Sequence, residues 1–346
     1  MANEVKKLNT IAVASIKNLN GITDANLKKL NGQEFTGYSA LTWTNDDDFG
    51  DARQQAASAG TAGAAFVMGG YDGSSQLDTT KYHDGNSWAS KATMSSARDA
   101  SGGCGTFAAA LDCGGYISGD EVQTTELYYG VETDVGGSTV SANTWTTASG
   151  NNMTVGSYGP TVFGTQSAAM WCGGKKFGGD AATFLTNSEE FNGSAWTAHS
   201  ATNDLDTGIE GNAGGAGTSA AGLIFGGMVS GPAHTNGTQK WNSTTWEAGN
   251  NMGTARRYNS GFGTSTRAWT QGGASAHGSS YITLNTTETF DGTSWASDTN
   301  LNTNVGLQSH GCHVGSARTG FVVGGLERDA TDGTGQALIQ TYQRAS

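Results

Sequence analysis

The sequence predicts an all-β fold: a six-bladed β-propeller over residues 38–346, preceded by a separate N-terminal arm over residues 1–37. Two observations predict the propeller, a glycine pattern that occurs six times and an aromatic hairpin pattern that follows it. The composition agrees, because 54 of the 346 residues are glycine, only 2 are proline, and short apolar runs alternate with polar turn residues. A radial repeat fold can use this length as one domain.

The glycine pattern has a fixed spacing. Six Gly-Gly pairs are each preceded, nine residues earlier, by Gly followed by Thr or Ser. The seven residues between are mostly Ala, Val, Phe, Met and Ile, which is typical of a short buried strand. A glycine pair then lets the chain leave the strand with positive φ. The first glycines of the pairs, one for each predicted blade, are Gly69, Gly114, Gly173, Gly226, Gly272 and Gly324.

The second pattern predicts a hairpin. In TTKYHDGNSW (79–88) and TTETFDGTSW (286–295), a strand ends in an aromatic residue or His, a short Asp-Gly turn follows, and a second strand begins at Trp. A tryptophan at this position could bury about 150–250 Å² between neighbouring sheets. We therefore expect six tryptophans to be wedges between blades: Trp43, Trp88, Trp145, Trp196, Trp246 and Trp295.

The last blade is incomplete at the C-terminus, where LIQTYQRAS ends the chain without a tryptophan. In this segment Gln340 and Tyr342 match the glutamate and aromatic positions of the hairpin. The segment YSALTWTNDDDF (38–49) contains Trp43 and precedes the first glycine pattern. We predict that a strand around Trp43 pairs with the C-terminal strands, because this closure removes the exposed edges of an open ring.

The order Gly-Gly, aromatic, Trp, repeated every 45 to 59 residues, resembles the kelch repeat over residues 38–346. The arginine that this family has early in the repeat is present as Arg53, Arg98 and Arg256. The other three blades carry Ser157, Glu210 and Gln308 at this position. Since the arginines occupy equivalent positions, we expect a structural role for them and not a substrate clamp. The resemblance implies a fold but not an activity.

The arm has its own period of eleven, in VKKLNTI (5–11), IKNLNGI (16–22) and LKKLNGQ (27–33). Eleven residues are close to three helical turns, so an amphipathic helix is one alternative. The Asn-Gly pairs favour short strands and turns. We predict that the arm docks into another protein or into identical arms, with packing along its own propeller as the alternative. The expected anchor residues are Val5, Leu8, Ile16, Leu19, Leu27 and Leu30.

The charge distribution argues against two classes of partner. The net charge is −12, of which the arm carries +2 and residues 38–346 carry −14. An acidic surface repels nucleic acid and anionic membranes. There is no apolar run of about 18 residues, and the start MANEVKKLNT lacks the apolar core of a secretory signal. We expect neither nucleic-acid binding nor membrane insertion, nor export by the ordinary route.

The sequence offers little for catalysis or metal binding. In SHGCHVG (309–315), His310 and Cys312 would share one face of a strand while His313 points away, which is poor geometry for a metal. No nucleophile elbow, phosphate loop or paired-acid motif is evident. We therefore predict a protein that is not an enzyme and has no metal or cofactor. The four cysteines are expected to be small buried thiols: Cys104, Cys113, Cys172 and Cys312.

Three tyrosines in the connections that follow Gly-Gly pairs, Tyr71, Tyr116 and Tyr281, are candidates for a ligand platform, because aromatic rings stack on the apolar faces of sugars. Trp171 and Trp269, in contrast, lie inside the predicted buried strands, where core packing is expected. The insertion VETDVGGSTVSA (131–142) lengthens one hairpin and is a candidate partner contact.

Leu-Asn-Gly repeats ahead of a Gly/Ser/Thr-rich β domain resemble the N-terminal attachment segments of tailed-phage virion proteins. This resemblance implies a virion structural or appendage protein, assembled in the host cytoplasm and exposed on the particle surface. Its arm would bind other virion proteins, its propeller would have host-surface glycan as a candidate ligand, and it would be a homo-oligomer within the particle. The alternatives are a sugar-active propeller enzyme, similar to sialidases or galactose oxidases, and a cellular kelch scaffold.

Overall fold

The computed structural model describes residues 50–302, apart from 62, 136, 149–151, 178–182, 210–212, 231–232 and 276–282. Outside this range it describes only the backbone of short strands within 7–45 and 319–343. Every regular element in this part of the chain is a β-strand. Five antiparallel four-stranded sheets form the blades of a β-propeller, which confirms the predicted fold class.

The five blades are consecutive along the chain, and in each the strands pair in sequence order. Blade 1 comprises Ala57–Thr61, Ala64–Met68, Thr80–His83 and Trp88–Lys91; blade 2 comprises Gly102–Thr106, Ala109–Cys113, Thr125–Tyr129 and Thr144–Thr147; blade 3 comprises Thr161–Thr165, Ala168–Cys172, Ser188–Phe191 and Trp196–Ala198; blade 4 comprises Gly214–Thr218, Ala221–Phe225, Thr238–Trp241 and Trp246–Gly249; blade 5 comprises Ser260–Thr264, Arg267–Gln271, Thr287–Phe290 and Trp295–Ser297.

The first strand of each blade is the innermost, because it contacts the first strand of the next blade. Apolar side chains of adjacent sheets meet in the spaces between blades. Cys104 and Leu111 of blade 2, for example, pack with Val162, Trp171 and Phe191 of blade 3. The core is therefore a series of layers around the ring. Each Å² of apolar surface that these layers remove from water stabilises the fold by about 25 cal/mol.

The glycine pattern encodes the hairpin between the two inner strands and the exit from the second. Gly164 has φ of +115°, and a Cβ at this position would lie 2.3 Å from the carbonyl oxygen of Ala168 across the hairpin. The pair Gly173-Gly174 has φ of +68° and +92° where the chain leaves the strand. Only glycine takes such angles without strain, so the spacing of nine residues is the length of one hairpin turn and one strand.

The outer hairpins follow the aromatic pattern. Each residue of the aromatic position faces the Trp of the next strand: His83 faces Trp88, Tyr128 faces Trp145, Phe191 faces Trp196, Trp241 faces Trp246, and Phe290 faces Trp295. In the turn, the Asp84 side chain accepts hydrogen bonds from the backbone N–H groups of Asn86 and Ser87, both at 2.9 Å. Asp and Asn are preferred here because they stabilise a tight turn in this way.

A further sheet has three strands in the order Thr319–Val323, Ile339–Gln343, Thr42–Asn45. Tyr342 pairs with Trp43, as predicted for the joining of the two chain ends. The strand Thr319–Val323 contacts the innermost strands of both blade 5 and blade 1. The sequence predicts six blades and the structure has five four-stranded ones. The segment that would supply the missing strand, around Gly315, lies outside the described residues.

Shorter two-stranded ribbons extend from the blades. They pair Tyr116–Ile117 with Asp120–Glu121, Thr133–Val135 with Ser138–Val140, Lys175–Lys176 with Thr183–Phe184, Met228–Val229 with Ala233–His234, and Leu326–Asp329 with Asp332–Gly335. The second ribbon is formed by the insertion at 131–142. Among the described residues, no helix is long and apolar enough to cross a membrane.

The arm forms three hairpins, one for each eleven-residue repeat. Their strands are Lys7–Leu8 with Ile11–Ala12, Asn18–Leu19 with Ile22–Thr23, and Lys29–Leu30 with Gln33–Glu34. The preference for strands and turns over a helix is thus confirmed. The residues between the paired strands in the second and third hairpins are Asn-Gly, the preferred sequence of a two-residue hairpin turn.

Candidate functional site

The three predicted arginines are buried and bind the backbone of their own blades. Arg98 Nη1 donates to the carbonyl oxygens of Gly114 and Thr124, at 3.1 and 3.2 Å, and Nη2 donates to Glu126 Oε1 at 2.7 Å. Arg256 repeats these contacts with Gly272, Thr286 and Glu288 in blade 5. Such charge-assisted bonds in a dry interior hold the Gly-Gly corner in place. These arginines are therefore not available to bind a substrate.

Blade 1 keeps the arginine but has no glutamate to pair with it, since Lys81 stands at the glutamate position. Asp51 replaces that carboxylate and lies 3.0 Å from Arg53 and 3.1 Å from Lys81. Burial would raise the pKa of Asp51, but the hydrogen bonds and charges of Lys81 and Arg53 outweigh it and lower the pKa. In blade 3, where Ser157 replaces the arginine, Glu189 instead accepts hydrogen bonds from the backbone N–H and hydroxyl of Thr154.

The tryptophans that begin the outermost strands bind the preceding blade. Trp196 Nε1 donates to Thr125 Oγ1 at 2.8 Å, and Trp145 Nε1 donates to the carbonyl oxygen of Ala92 at 3.0 Å. Trp246 and Trp295 donate to Ser188 Oγ and Thr238 Oγ1 in the same way. Trp88 is half-buried and packs against His83, and the side chain of Trp43 lies outside the described residues. Four tryptophans thus connect successive blades.

Blade 2 contains a buried polar cluster around Asp112. Ser101 donates a hydrogen bond to Asp112 Oδ2 at 2.8 Å, and Arg98 Nη1 lies 3.5 Å from Oδ1. Burial raises the pKa of Asp112 to about 7, although Arg98 and Ser101 act in the opposite direction. The equivalent positions of blade 5 hold a neutral pair, Asn259 Nδ2 donating to Thr270 Oγ1 at 3.0 Å. The position therefore has a structural use in both blades.

Ser188, His199 and Asp204 are the residue types of an acyl-transfer triad. Ser188 Oγ lies 2.9 Å from His199 Nδ1 and 3.3 Å from Asp204 Oδ1. The hydroxyl, however, also accepts the hydrogen bond of Trp246 from the next blade, and Ser188 is only 1% exposed. A nucleophile must reach its substrate with a base positioned to take its proton. This serine belongs to the contact between blades 3 and 4.

Within the described residues, no group of three or more His, Cys, Asp or Glu side chains could hold a metal ion. Cys104, Cys113 and Cys172 are free and buried, and burial raises the pKa of each thiol. They therefore stay protonated and unreactive. His310, Cys312 and His313 lie outside the described residues.

The candidate ligand residues separate into two groups. Tyr71 is half-buried and forms backbone bridges with Gln54 and Gln76, and Tyr281 lies outside the described residues. Tyr116 belongs to a cluster with Tyr158 and Phe177, which we call the aromatic shelf. The ring centroid of Tyr116 lies 6.1 Å from the centroids of both Tyr158 and Phe177, and the centroids of those two rings are 5.5 Å apart. All three pairs are edge-to-face.

Sequence reasoning missed two members of the aromatic shelf. Tyr158 lies just after Ser157, in the inter-blade connection, and Phe177 lies four residues after Gly173 in blade 3. Each lies outside the repeated columns, so their proximity to Tyr116 depends on how blades 2 and 3 pack. The available signal was the column one residue beyond Gly-Gly, where Lys175 stands in blade 3 and Tyr116 in blade 2, which places the two ribbons side by side.

A second missed feature is a column with left-handed backbone, two residues after the arginine position. Gln55, Ala100, Gly159 and Tyr258 have φ between +49° and +62°. Gly159, and Asn212 at the equivalent position of blade 4, are residues that favour this conformation, and they were the sequence signal for it. At the four described positions the chain turns into the innermost strand of its blade.

The aromatic shelf is thus the arrangement in the described part of the chain that is best suited to contact a ligand, since its rings reach the surface and the buried polar clusters do not. Comparison of the chain with models of known protein families finds no match, and a search of curated proteins finds none of significant similarity.

Proposed function

We propose that the chain is a non-enzymatic appendage protein of a virion, anchored through residues 1–37 and displaying a propeller of the kelch type outward. The observation that carries the proposal is the division between a repetitive arm and a ring in which the buried arginines and the buried serine of the catalytic-type triad are bonded within the ring. Arg98, Arg256 and Ser188 all bind neighbouring segments of the ring. What is left for contact with other molecules is the arm and the ring surface.

The arm is suited to docking because each of its hairpins is a separate two-stranded sheet of very short strands. An isolated two-stranded hairpin is marginally stable in water. Its open edges and its repeated Leu and Ile positions would be stabilised by a partner surface. A partner with a matching repeat, such as other virion proteins or identical arms, would bind all three hairpins at once and multiply the affinity of one.

We further propose that the three-stranded sheet is a sixth blade, which would make the ring six-fold. Its strand Thr319–Val323 precedes Gly324-Gly325, as the second strand of every other blade precedes its pair. The contacts of that strand with blades 1 and 5 support this assignment. The arm would then leave the ring beside the C-terminal strand, because the strand that follows it, Thr42–Asn45, pairs with Ile339–Gln343.

The test is incorporation into particles. Tagged full-length protein, a variant that lacks residues 1–37 and a variant that lacks the insertion 131–142 are expressed in cells that assemble the particle, and particles are purified on a density gradient. We expect the first and third to co-sediment with particles and the second to stay in the soluble fraction. Co-sedimentation of the arm deletion, or turnover in an oligosaccharide activity screen, would overturn the anchoring or the non-enzymatic part of the proposal, respectively.

A further inference from the structure

The aromatic shelf is partly open to solvent. Phe177 is 47% exposed, whereas Tyr116 and Tyr158 are half-buried and support it edge-on. Large exposed apolar side chains are rare in the described part of the chain, where the only others are Val131 and Val135 on the inserted ribbon. An exposed aromatic ring that packs against two others is a rigid platform. Its rotation is already restricted before a ligand binds, so binding costs less side-chain entropy.

Polar groups of several kinds surround the exposed ring. Lys175 Nζ lies 4.5 Å from the centroid of the Phe177 ring. Glu121 Oε1 accepts a hydrogen bond from the backbone N–H of Phe177 at 2.6 Å, which fixes the ribbon of blade 3 against that of blade 2. The hydroxyl of Tyr158 is bonded to the Gln55 amide, so the phenol has a fixed position. A cation and a carboxylate therefore lie beside the exposed ring.

The charges around the shelf nearly cancel. The ribbon of blade 3 carries Lys175 and Lys176, and the ribbon of blade 2 beside it carries Asp120 and Glu121, so the two pairs of charges balance. The surrounding ring is strongly acidic, with a net charge of −14 over residues 38–346. An anionic ligand would be repelled by this field, and the two lysines are not enough to reverse it. A ligand without net charge suits the site.

The size of the shelf also limits its partner. A stable protein interface buries about 800 Å² on each side with an apolar centre, and one exposed Phe among polar groups supplies much less. A small-molecule subsite needs an apolar wall and a few polar groups that fix the orientation. A pyranose has this character, since one face of the ring presents C–H groups and its rim presents hydroxyls.

We infer that the aromatic shelf is a binding subsite for a neutral hexose within a glycan, with the sugar packed on the exposed Phe177 ring and its polar rim beside Glu121. This inference rests on the proposed display of the propeller and names the ligand class of that display. Of the three tyrosines predicted as a ligand platform, this subsite contains Tyr116, to which it adds Tyr158 and Phe177.

The experiment measures binding of the full-length protein to immobilised neutral oligosaccharides of glucose, galactose and mannose, beside sialylated ones, followed by titration of the best ligand. Phe177→Ala should weaken neutral-glycan binding by at least about tenfold. Val131→Ala is the matched control, because Val131 is also an exposed apolar side chain, at 53%. It follows the C-terminal end of the strand Thr125–Tyr129, whereas the ribbon that carries Tyr116 precedes the N-terminal end of that strand. The control variant should bind as the unaltered protein does.

Thermal unfolding of each variant establishes that it is folded before its binding is compared. The inference is overturned if the folded protein binds no neutral glycan, if it binds only sialylated ones, or if Phe177→Ala leaves the affinity unchanged. The inference is equally contradicted if the protein binds no glycan and Phe177→Ala instead abolishes its binding to a purified protein. Particle incorporation of Phe177→Ala should be normal. A negative result in the glycan-binding experiment would therefore not contradict the anchoring role of the arm.

Discussion

Single side chains hold each blade together at the corner where the Gly-Gly pair leaves the second strand. Arg256 connects Gly272, where the second strand of blade 5 ends, to Thr286 and Glu288 at the start of the third strand. Glu288 in turn accepts hydrogen bonds from the backbone N–H groups of Gly253 and Thr254, in the connection from blade 4. One arginine-glutamate pair thus joins the corner of one blade to the connection from the previous one.

Replacing Arg256 with Met should destabilise the protein strongly, by about 3–5 kcal/mol, because the Glu288 carboxylate would remain buried without its cation. The double variant Arg256→Met/Glu288→Gln should recover part of this loss, since a neutral amide can still accept the backbone hydrogen bonds of the connection. Urea unfolding measures both. Equal stability of the single and double variants would show that the buried charge is not the cause.

Asp112 gives a pH dependence whose sign follows from its raised pKa. The carboxyl has a pKa of about 7 in the folded protein against an ordinary value of 3.8, so the folded state keeps a proton that the unfolded chain has released. The contribution of Asp112 to the free energy of unfolding is therefore largest below pH 4, falls as the pH rises towards 7, and is constant above. Asp112→Asn removes this pH-dependent contribution, because an amide does not titrate.

We expect the difference in stability between Asp112→Asn and the unaltered protein to shift in favour of the variant as pH rises from 5 to 8. Urea unfolding at both pH values measures the difference, and the subtraction removes the contributions of the other carboxyl groups. Thr270→Asp in blade 5, at the position equivalent to Asp112, serves as the reverse variant and should introduce a similar pH dependence. A difference that does not change with pH would mean that Asp112 is ionised in the folded protein.

At the scale of elements, the inner hairpin and the outer hairpin of each blade could be predicted because local sequence decides both. Glycine is required at positive φ beside a close carbonyl, as at Gly164, and Asx-Gly closes the outer turn. The arm hairpins were predictable for the same reason. The aromatic shelf was not, because Tyr158 and Phe177 meet Tyr116 only through the packing of blade 3 against blade 2. Tyr158 and Phe177 lie outside the repeated columns, so no periodic signal marks their contacts, whereas the repeated tryptophans that join the blades were predictable.

The inner hairpins allow a test that separates backbone strain from steric clash. Gly164→Ala and Gly119→Ala place alanine at nearly the same φ, +115° and +110°, but the new Cβ lies 2.3 Å from the Ala168 oxygen in the first and has no atom within 4 Å in the second. Gly119→Ala should cost about 1–2 kcal/mol from strain alone. Gly164→Ala should cost at least about 2 kcal/mol more. Chemical denaturation that shows equal losses would disprove the role of the close carbonyl.

At the scale of the whole molecule, each blade depends on its neighbours, since the apolar layers lie between sheets and the tryptophans bond to the preceding blade. A ring of such sheets is most stable when the last sheet contacts the first. The pairing of Thr42–Asn45 with Ile339–Gln343 joins segments from opposite ends of the chain. A closure of this kind removes free edges, at the cost of the entropy of joining distant segments.

Two truncations separate the arm from the closing strand. Removal of residues 1–37 takes away the three hairpins and leaves Thr42–Asn45, so the midpoint of thermal unfolding should change little. Removal of residues 1–46 also takes the strand that carries Trp43, and we expect a loss of at least about 3 kcal/mol, comparable to deletion of a large buried side chain. The exposed edge of Ile339–Gln343 should also promote self-association, which light scattering detects. If both truncations unfold at the same temperature and stay monodisperse, the N-terminal strand does not close the ring.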